Sequence, residues 1–245
     1  MATKNNYDLF ATFYDDVQKK QKYLDWKNFV SQILIQRKKR VSSVLDMGCG
    51  SLNNGILYGE EGLRVVGIDS SSGLIEIARE KVKNYDIELL KSSFLNLNIN
   101  ESFDLAICHD FTANHILTKP DFLLFLNNAY DHLNNSGILV FDLKPRNDYR
   151  RKFGKYMEWQ KLNNGNLSYR WQVEYLKFRK IRITLFVKDG KVVKKESSLS
   201  KTYGLKEISK VIEKSKFGNK YFIYSNYSFD KPTKYSKFWT FVLTK

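Results

Sequence analysis

The sequence contains no apolar run of 18 residues, so we expect no helix that spans a membrane. The first ten residues, MATKNNYDLF, lack the apolar segment of a secretory signal. Two cysteines, Cys49 and Cys108, do not make a disulfide framework, and with three unclustered histidines they argue against a structural zinc site. We therefore expect a protein of the reducing cytoplasm, with no metal.

Charge is distributed unevenly along the 245 residues, a length that suits one large or two small domains. Residues 1–143 carry 15 basic and 18 acidic side chains, whereas residues 144–245 carry 26 basic and 8 acidic ones. A net charge of +18 in the second part favours an anionic partner, although a solvated surface would look the same.

Residues 41–143 alternate short apolar runs with amphipathic ones. The runs VSSVLDMG, LRVVGIDSS, IELLKSSF, FDLAICHD and ILVFDL predict strands, and the segments between them predict helices, one of which should stop at Gly137. This alternation predicts a parallel sheet covered by helices on both faces. Ligands of such sheets bind at the carboxyl ends of the strands, where Asp46–Gly50, Asp69, Ser92–Phe94 and Asp110 should meet.

After Leu143 the pattern changes to polar residues alternating with apolar or aromatic ones. Turn signals at Asn163-Asn164-Gly165 and Asp189-Gly190 predict three or four antiparallel strands. The run LKEISKVIEKSKFG then predicts a helix, and two closing strands follow it.

The stretches VLDMGCGSLNNG, VVGIDSSSGLIEIAR and FDLAICHD, at these spacings, resemble the class I S-adenosylmethionine-dependent methyltransferases. The opening YDLFATFYDDVQKKQKYLDW resembles a bacterial small-molecule subgroup with a β-sheet insertion, related to glycine N-methyltransferase and amino-sugar N,N-dimethyltransferases. The resemblance implies an α/β fold: a seven-stranded Rossmann-like sheet with helices on both faces, and a small antiparallel insertion after the fifth strand. It implies a helical lid at 1–40, a cofactor-binding core at 41–143, the insertion at 144–200, and a final helix with closing strands at 201–245.

The resemblance also implies roles for individual residues toward S-adenosylmethionine. Glycines at 48 and 50 let the backbone approach the cofactor, Asp46 receives its ammonium group, and Asp69 receives its ribose hydroxyls. The full set of implied cofactor-binding residues is Tyr14, Trp26, Asp46, Gly48, Cys49, Gly50, Asp69, Ser70, Leu74, Ser93, Phe94 and Asp110. Asp110, His115 and Tyr14 are the candidate catalytic residues.

Plainer roles remain open for several of these residues. Tyr14 and Trp26 are also compatible with core packing, Asp110 with a helix cap, and His115 with packing. Two positions also depart from the family pattern. A bulky polar run follows Gly50, and Ser93 stands where most members have an aspartate that contacts the adenine.

These observations predict a methyltransferase that N-methylates a small, phosphorylated or nucleotide-linked acceptor beneath a basic insertion. The basic cluster Arg146, Arg150, Arg151, Lys152 and Lys155 follows the fifth strand, beside the expected acceptor pocket. One alternative is an RNA methyltransferase whose insertion binds phosphates, and another is a non-catalytic binding protein with a lapsed cofactor site.

Overall fold

A computed structural model of the protein describes residues 7–18, 20–152, 158–162 and 167–245. The α-helices in that part of the chain are α1 (Asp8–Ala11), α2 (Tyr14–Val17), α3 (Lys20–Gln36), α4 (Ile56–Gly59), α5 (Ser72–Lys81), α6 (Lys119–Asp131), α7 (Arg146–Lys152) and α8 (Leu205–Lys214). The strands are β1 (Ser43–Met47), β2 (Arg64–Asp69), β3 (Ile87–Lys91), β4 (Phe103–Cys108), β5 (Leu133–Leu143), β6 (Gln160–Lys161), β7 (Leu167–Tyr175), β8 (Lys180–Asp189), β9 (Val192–Lys201), β10 (Tyr221–Ser225) and β11 (Trp239–Thr244). Short 3-10 helices span Thr112–His115 and Lys177–Arg179.

Seven strands form the main sheet in the order β10-β11-β5-β4-β1-β2-β3. Strands β1 to β5 pair in parallel, and β11 pairs antiparallel with β5 and with β10. The predicted fold class is therefore confirmed. Because β1 to β5 are parallel, their carboxyl ends share one edge, and this is the edge where the sequence predicts the ligand.

Both faces of the main sheet are buried, and successive residues of one strand lie in opposite cores. Leu45 of β1 lies in a core that includes Phe122 and Phe125 of α6, whereas Val44 packs in the opposite core with Phe29 and other residues of α3. Full burial of a side chain such as Phe125 contributes about 1.5–3 kcal/mol to folding. Helix α3, placed in the predicted lid, is thus part of the core.

The expected helix stop at Gly137 is wrong. Helix α6 ends at Asp131, and Gly137 lies within β5. The pairing of β4 with β5 jumps from Phe103↔Leu133 to Leu105↔Ile138, so a bulge interrupts the strand. A Cβ at Gly137 would lie 2.9 Å from the carbonyl oxygen of Asn134. This glycine therefore permits a tight bulge, a feature that resembles a helix stop in sequence.

A second, four-stranded antiparallel sheet has the order β6-β7-β8-β9 and follows β5, as predicted. Gly190, with φ at 55°, forms the turn between β8 and β9. The predicted turn at Asn163-Asn164-Gly165 lies outside the described residues. Among the described residues, no helix is long and apolar enough to cross a membrane.

Candidate active site

The loop after β1 reaches across to β2 and to the loop after β4. The backbone N–H groups of Gly48 and Cys49 both donate to the carbonyl oxygen of Ile68 at the end of β2. Gly48 has φ at 81°, and a Cβ there would lie 2.3 Å from a methyl carbon of Thr112. Only glycine fits this contact. Cys49 is buried, and burial raises the pKa of its thiol, so it serves as a neutral packing group.

Asp69 fastens the loop after β1, residues 48–50 and named the glycine loop below, to the end of β2. One carboxylate oxygen accepts the N–H of Gly50 at 2.9 Å, and the other accepts the N–H of Ser71 at 2.8 Å. Burial raises the pKa of Asp69 despite these bonds. Each oxygen keeps a further lone pair with which it can accept from a hydroxyl. Ser70, next to it, is exposed.

Asp46 lies at the end of β1, and only 2% of its surface is exposed. Its Oδ2 atom has no hydrogen-bond partner within the described residues. Burial, aided by the negative charge of Asp69, raises the pKa of Asp46 to about 7. That oxygen lies beside Gly55, where α4 begins, and the Gly55 backbone partly offsets the effect of burial on the pKa. The role of Asp46 toward the ammonium group therefore stays a prediction.

The polar run after Gly50 binds the N-terminal segment. Ser51 Oγ and Asn53 Nδ2 both donate to Asp15 Oδ1 of α2, at 2.6 Å and 2.8 Å. Lys81 of α5 donates to the Ser51 carbonyl oxygen at 2.9 Å and pairs with Asp15 at 2.6 Å. Burial would raise the pKa of Asp15, but Lys81 and the two donors hold it below its usual value. These contacts of Asp15 with Ser51, Asn53 and Lys81 are named the clasp below. The polar residues that follow Gly50, where this chain departs from the family pattern, thus hold the N-terminal segment.

Beside the clasp, the surface opens into a cleft of about 310 Å³ between α3, α4 and α5. Asp15, Tyr23, Asn53, Leu57 and Lys81 are among the residues that line it.

Helices α2 and α3 bring a tyrosine and a lysine to the glycine loop and to the end of β4. The hydroxyl of Tyr14 lies 3.5 Å from the position that a Cβ on Gly50 would take. Asp110, in the left-handed region with φ at 57°, pairs with Lys22 at 2.7 Å. Burial would raise the pKa of Asp110, but the charge of Lys22 outweighs it and the pKa is lowered. No sequence pattern pointed to Lys22.

His115 ends the 3-10 helix after β4 and lies against the second sheet. Its Nδ1 is 3.0 Å from the carbonyl oxygen of Leu199, and its Nε2 is 2.7 Å from the hydroxyl of Tyr7. Burial lowers the pKa of His115, so the ring is neutral near pH 7. Since Nδ1 must donate to the carbonyl, Nε2 is the basic nitrogen and accepts from Tyr7.

Three further predicted residues lie near the same loops. Leu74 is buried, and its side chain lies 4.0 Å from a Cβ position at Gly50. The ring of Phe94 lies 3.6 Å from a Cβ position at Gly48 and packs edge-on against Phe125. Ser93 Oγ accepts the N–H of Leu95, which leaves its own O–H free to donate.

Trp26 lies beneath the loop after β4 rather than on its surface. It is fully buried in the core, and its ring packs against His109 with centroids 4.3 Å apart. Trp26 therefore has the core-packing role that the sequence left open, and its part in cofactor binding stays a prediction.

Sequence reasoning missed the buried pair of His109 and Asp142. Their side chains approach at 2.9 Å, and Asp142 also accepts the N–H of Phe111 at 2.6 Å. This pair ties the loop after β4 to β5 and thereby positions Asp110. The two residues lie 33 positions apart in sequence, and no motif joins them.

The basic cluster after β5 is only partly described. Lys144 pairs with the buried Asp148, and Arg146 lies over the ring of Tyr175 at 5.7 Å. The side chains of Arg150, Arg151 and Lys152, and the whole of Lys155, lie outside the described part of the structure.

Comparisons with known proteins agree with this geometry. Residues 44–137 match the family described as methyltransferase domain. A protein of Geobacillus sp. (strain WCH70) that carries a methyltransferase name is 28% identical over 140 residues, which cover 56% of this chain and 57% of that protein. A dTDP-4-amino-2,3,4,6-tetradeoxy-D-glucose N,N-dimethyltransferase of Saccharopolyspora spinosa is 27% identical over 113 residues, covering 46% and 45%. The chain thus spans about half the length of these curated relatives.

The crystal structure of an S-adenosylmethionine-dependent methyltransferase from Clostridium acetobutylicum matches with a TM-score of 0.78 at 21% identity, covering 97% of this chain and 98% of that one. At that identity the match speaks for the fold. Together with the domain match it supports S-adenosylmethionine as the cofactor, in agreement with the sequence prediction. Residues 44–137 therefore match the methyltransferase domain family, and the chain has the same Rossmann-like fold as the methyltransferase from Clostridium acetobutylicum.

Proposed function

We propose that the protein transfers a methyl group from S-adenosylmethionine to an amine of a small acceptor. The observation that carries this proposal is the meeting of three strand ends at one place. Asp69 at the end of β2 holds Gly50 after β1, Thr112 after β4 contacts Gly48, and Asp46 lies buried at the end of β1.

The residues present fit the cofactor. We assign its ammonium group to Asp46, the close backbone approach to Gly48 and Gly50, and its ribose hydroxyls to Asp69. The adenine is assigned to the pocket of Leu74, Ser93 and Phe94. Since Ser93 presents a free hydroxyl in place of a carboxylate, its hydrogen bond to the adenine lacks charge assistance. The cofactor supplies an electrophilic methyl group on its sulfonium.

On the acceptor side, the chain must orient an amine and exclude water. His115 is neutral, and its Nε2 can accept a proton from the amine once Tyr7 gives up its hydrogen bond. Asp110 can orient the same amine when Lys22 releases it. Tyr14, whose hydroxyl lies above Gly50, is assigned the role of covering the methyl group.

For the acceptor's finer identity, we propose an amine on a nucleotide-linked sugar. The dTDP-amino-sugar dimethyltransferase among the relatives supports this choice. The positive charge of the second sheet supports a phosphorylated acceptor less than the sequence suggested. Three of its basic residues lie on the face opposite the one that packs on the N-terminal segment: Arg182, Lys188 and Lys195. RNA as acceptor is the second candidate, and a non-catalytic binding protein is the third.

The test measures methyl transfer from labelled S-adenosylmethionine to a dTDP-amino sugar and, separately, to bulk RNA. We expect transfer to the amino sugar and loss of at least about 100-fold in rate for His115→Gln, the lower bound for general-base catalysis. His132→Gln, at the other end of the sheet, is the matched control and should keep full activity. Transfer to RNA alone would favour the second candidate, and no cofactor binding at millimolar concentration would favour the third.

A further inference from the structure

The outer face of the second sheet combines positive charge with aromatic rings. Opposite residues of neighbouring antiparallel strands present their side chains on the same face. The register therefore places Arg170, Phe186 and Lys195 in one row across β7, β8 and β9. The next row toward the β8–β9 turn holds Lys161, Ser168, Lys188 and Val193.

Arg170 is held between two aromatic rings. Its guanidinium carbon lies 5.1 Å from the centroid of Trp159 and 4.7 Å from that of Phe186. Its Nε atom is buried without a hydrogen-bond partner in the described residues. Trp159 keeps 40% of its surface exposed. A cationic and aromatic surface results, with the ring of Trp159 accessible for stacking.

The lysines beside this stack are exposed and have no acidic partner in the described ranges. Lys161, Lys188 and Lys195 are all solvent-exposed. Among the residues of β7, β8 and β9 that the register places on this face, the acidic one is Glu174, two rows away, and it is paired with Arg182 at 2.8 Å. The two rows near the turn therefore contain four basic residues and no carboxylate, although Asp189 at the turn and Glu158 beside Trp159 are exposed nearby.

The inner face of the same sheet is already occupied. Tyr169, Trp171 and Leu185 pack there against Phe10 and Phe13 of the N-terminal segment. The aromatic and basic side chains of the outer face are thus not needed for packing on the cofactor core.

We propose that the outer face, through Trp159, Arg170, Phe186, Lys188 and Lys195, binds single-stranded nucleic acid. Lysines contact phosphates, and exposed rings stack on unpaired bases; sheets that bind single strands combine these two features. A duplex hides its bases and would leave Trp159 without a stacking partner. This binding surface is separate from the methyl-transfer site, so its test requires no cofactor.

The test uses the full chain and a fluorescein-labelled 12-nucleotide oligouridylate, followed by fluorescence anisotropy from 50 to 200 mM salt. We expect binding that weakens as salt rises, since each neutralised phosphate releases counterions. Lys188→Glu with Lys195→Glu should weaken binding at least about tenfold and flatten the salt dependence. The matched control is Lys206→Glu with Lys210→Glu on α8, which changes the net charge equally at exposed positions. It should stay within about threefold of the wild type.

Stacking is tested separately through Trp159. Trp159→Ala should weaken binding at least about fivefold without changing the salt slope, whereas Trp159→Phe should retain most of the affinity. Three outcomes would each overturn the proposal. The first is an equal loss of affinity in the Lys188/Lys195 and Lys206/Lys210 double variants, and the second is equal affinity of the wild type for heparin and oligouridylate. The third is full affinity for oligouridylate in Trp159→Ala. Circular dichroism checks that each variant is folded. If Lys188→Glu with Lys195→Glu does not fold, Lys188→Gln with Lys195→Gln takes its place.

Discussion

The single residue Asp46 makes stability depend on pH in an unusual direction. Its pKa of about 7 in the folded protein lies above the unfolded value of 3.8. The folded state therefore holds a proton that the unfolded state releases, and stability is lost as pH rises from about 4 to 7. Relative to Asp46→Asn, the wild type should lose on the order of 2–4 kcal/mol over this interval, since each pKa unit corresponds to about 1.36 kcal/mol.

Urea unfolding at pH 4.5 and pH 8 measures this difference. The exposed carboxylate of Asp131, which pairs with Lys216, provides the control. Asp131→Asn should keep the wild-type pH dependence. An identical pH dependence in Asp46→Asn and the wild type would mean that Asp46 is not the group responsible.

Asp69 is the residue on which the cofactor assignment depends most directly. Asp69→Ala should weaken S-adenosylmethionine binding by about 1.5–3 kcal/mol, the range for hydrogen bonds to a charged group, and should also release Gly50. Calorimetry measures the change. Asp86→Ala, an exposed carboxylate beside Arg64, should bind the cofactor normally. Unchanged affinity in Asp69→Ala would remove Asp69 from the ribose site.

The sequence pattern predicted the site residues that directly follow a strand. It missed the residues that come from distant parts of the chain. Gly48, Gly50 and Asp69 meet because parallel strands deliver them to one edge, which periodicity reveals. Lys22 reaches Asp110 across 88 positions, and Tyr7 reaches His115 across 108. Such contacts depend on tertiary packing, and a single sequence carries no local signal for them.

Among the elements, the N-terminal segment 7–17 lies across the predicted cofactor site. Asp15 fastens it to Ser51 and Lys81, and Tyr14 lies over Gly50. We predict that Asp15→Asn makes amide exchange around Tyr14 about tenfold faster, because the clasp contributes roughly 1–2 kcal/mol. In the wild type, S-adenosylmethionine or its demethylated product should slow the same exchange.

The neighbouring Asp16 gives a matched control for this segment. Its side chain is exposed, and Asp16→Asn should leave exchange unchanged. If both variants exchange alike, or if the cofactor has no effect on the wild type, Tyr14 is a packing residue and the segment is not a lid.

Strands and helices with a regular spacing of apolar residues were predicted well. A strand interrupted by a bulge was not. The five parallel strands and the β8–β9 turn at Gly190 follow the sequence pattern. The end of α6 did not, because the turn residues Asn134 to Gly137 form a bulge inside β5. A glycine-containing polar run has the same composition in both settings, and only the pairing of β4 with β5 distinguishes them.

In the whole molecule, the N-terminal segment joins the cofactor core to the second sheet. Phe10 is 7% exposed and packs edge-on against Trp171 at 5.0 Å, while its neighbours Asp15 and Tyr14 contact the core. Ordering this segment with the cofactor should therefore order the second sheet as well. We predict that S-adenosylmethionine slows amide exchange in β8, around Leu185, at least about threefold.

Phe10→Ala should abolish the slowing of amide exchange in β8 by S-adenosylmethionine, while leaving the predicted cofactor-binding residues in place. The substitution removes a buried ring, a change that costs about 3–5 kcal/mol when a site cannot collapse, so it should detach the segment from the second sheet. Phe222→Ala, at a ring that is 55% exposed on β10, is the control and should keep the slowing in β8. If Phe10→Ala still binds the cofactor within about tenfold of the wild type and still slows exchange around Leu185, the coupling does not run through Phe10. The path would then run through His115, whose Nδ1 contacts the Leu199 carbonyl of β9 directly.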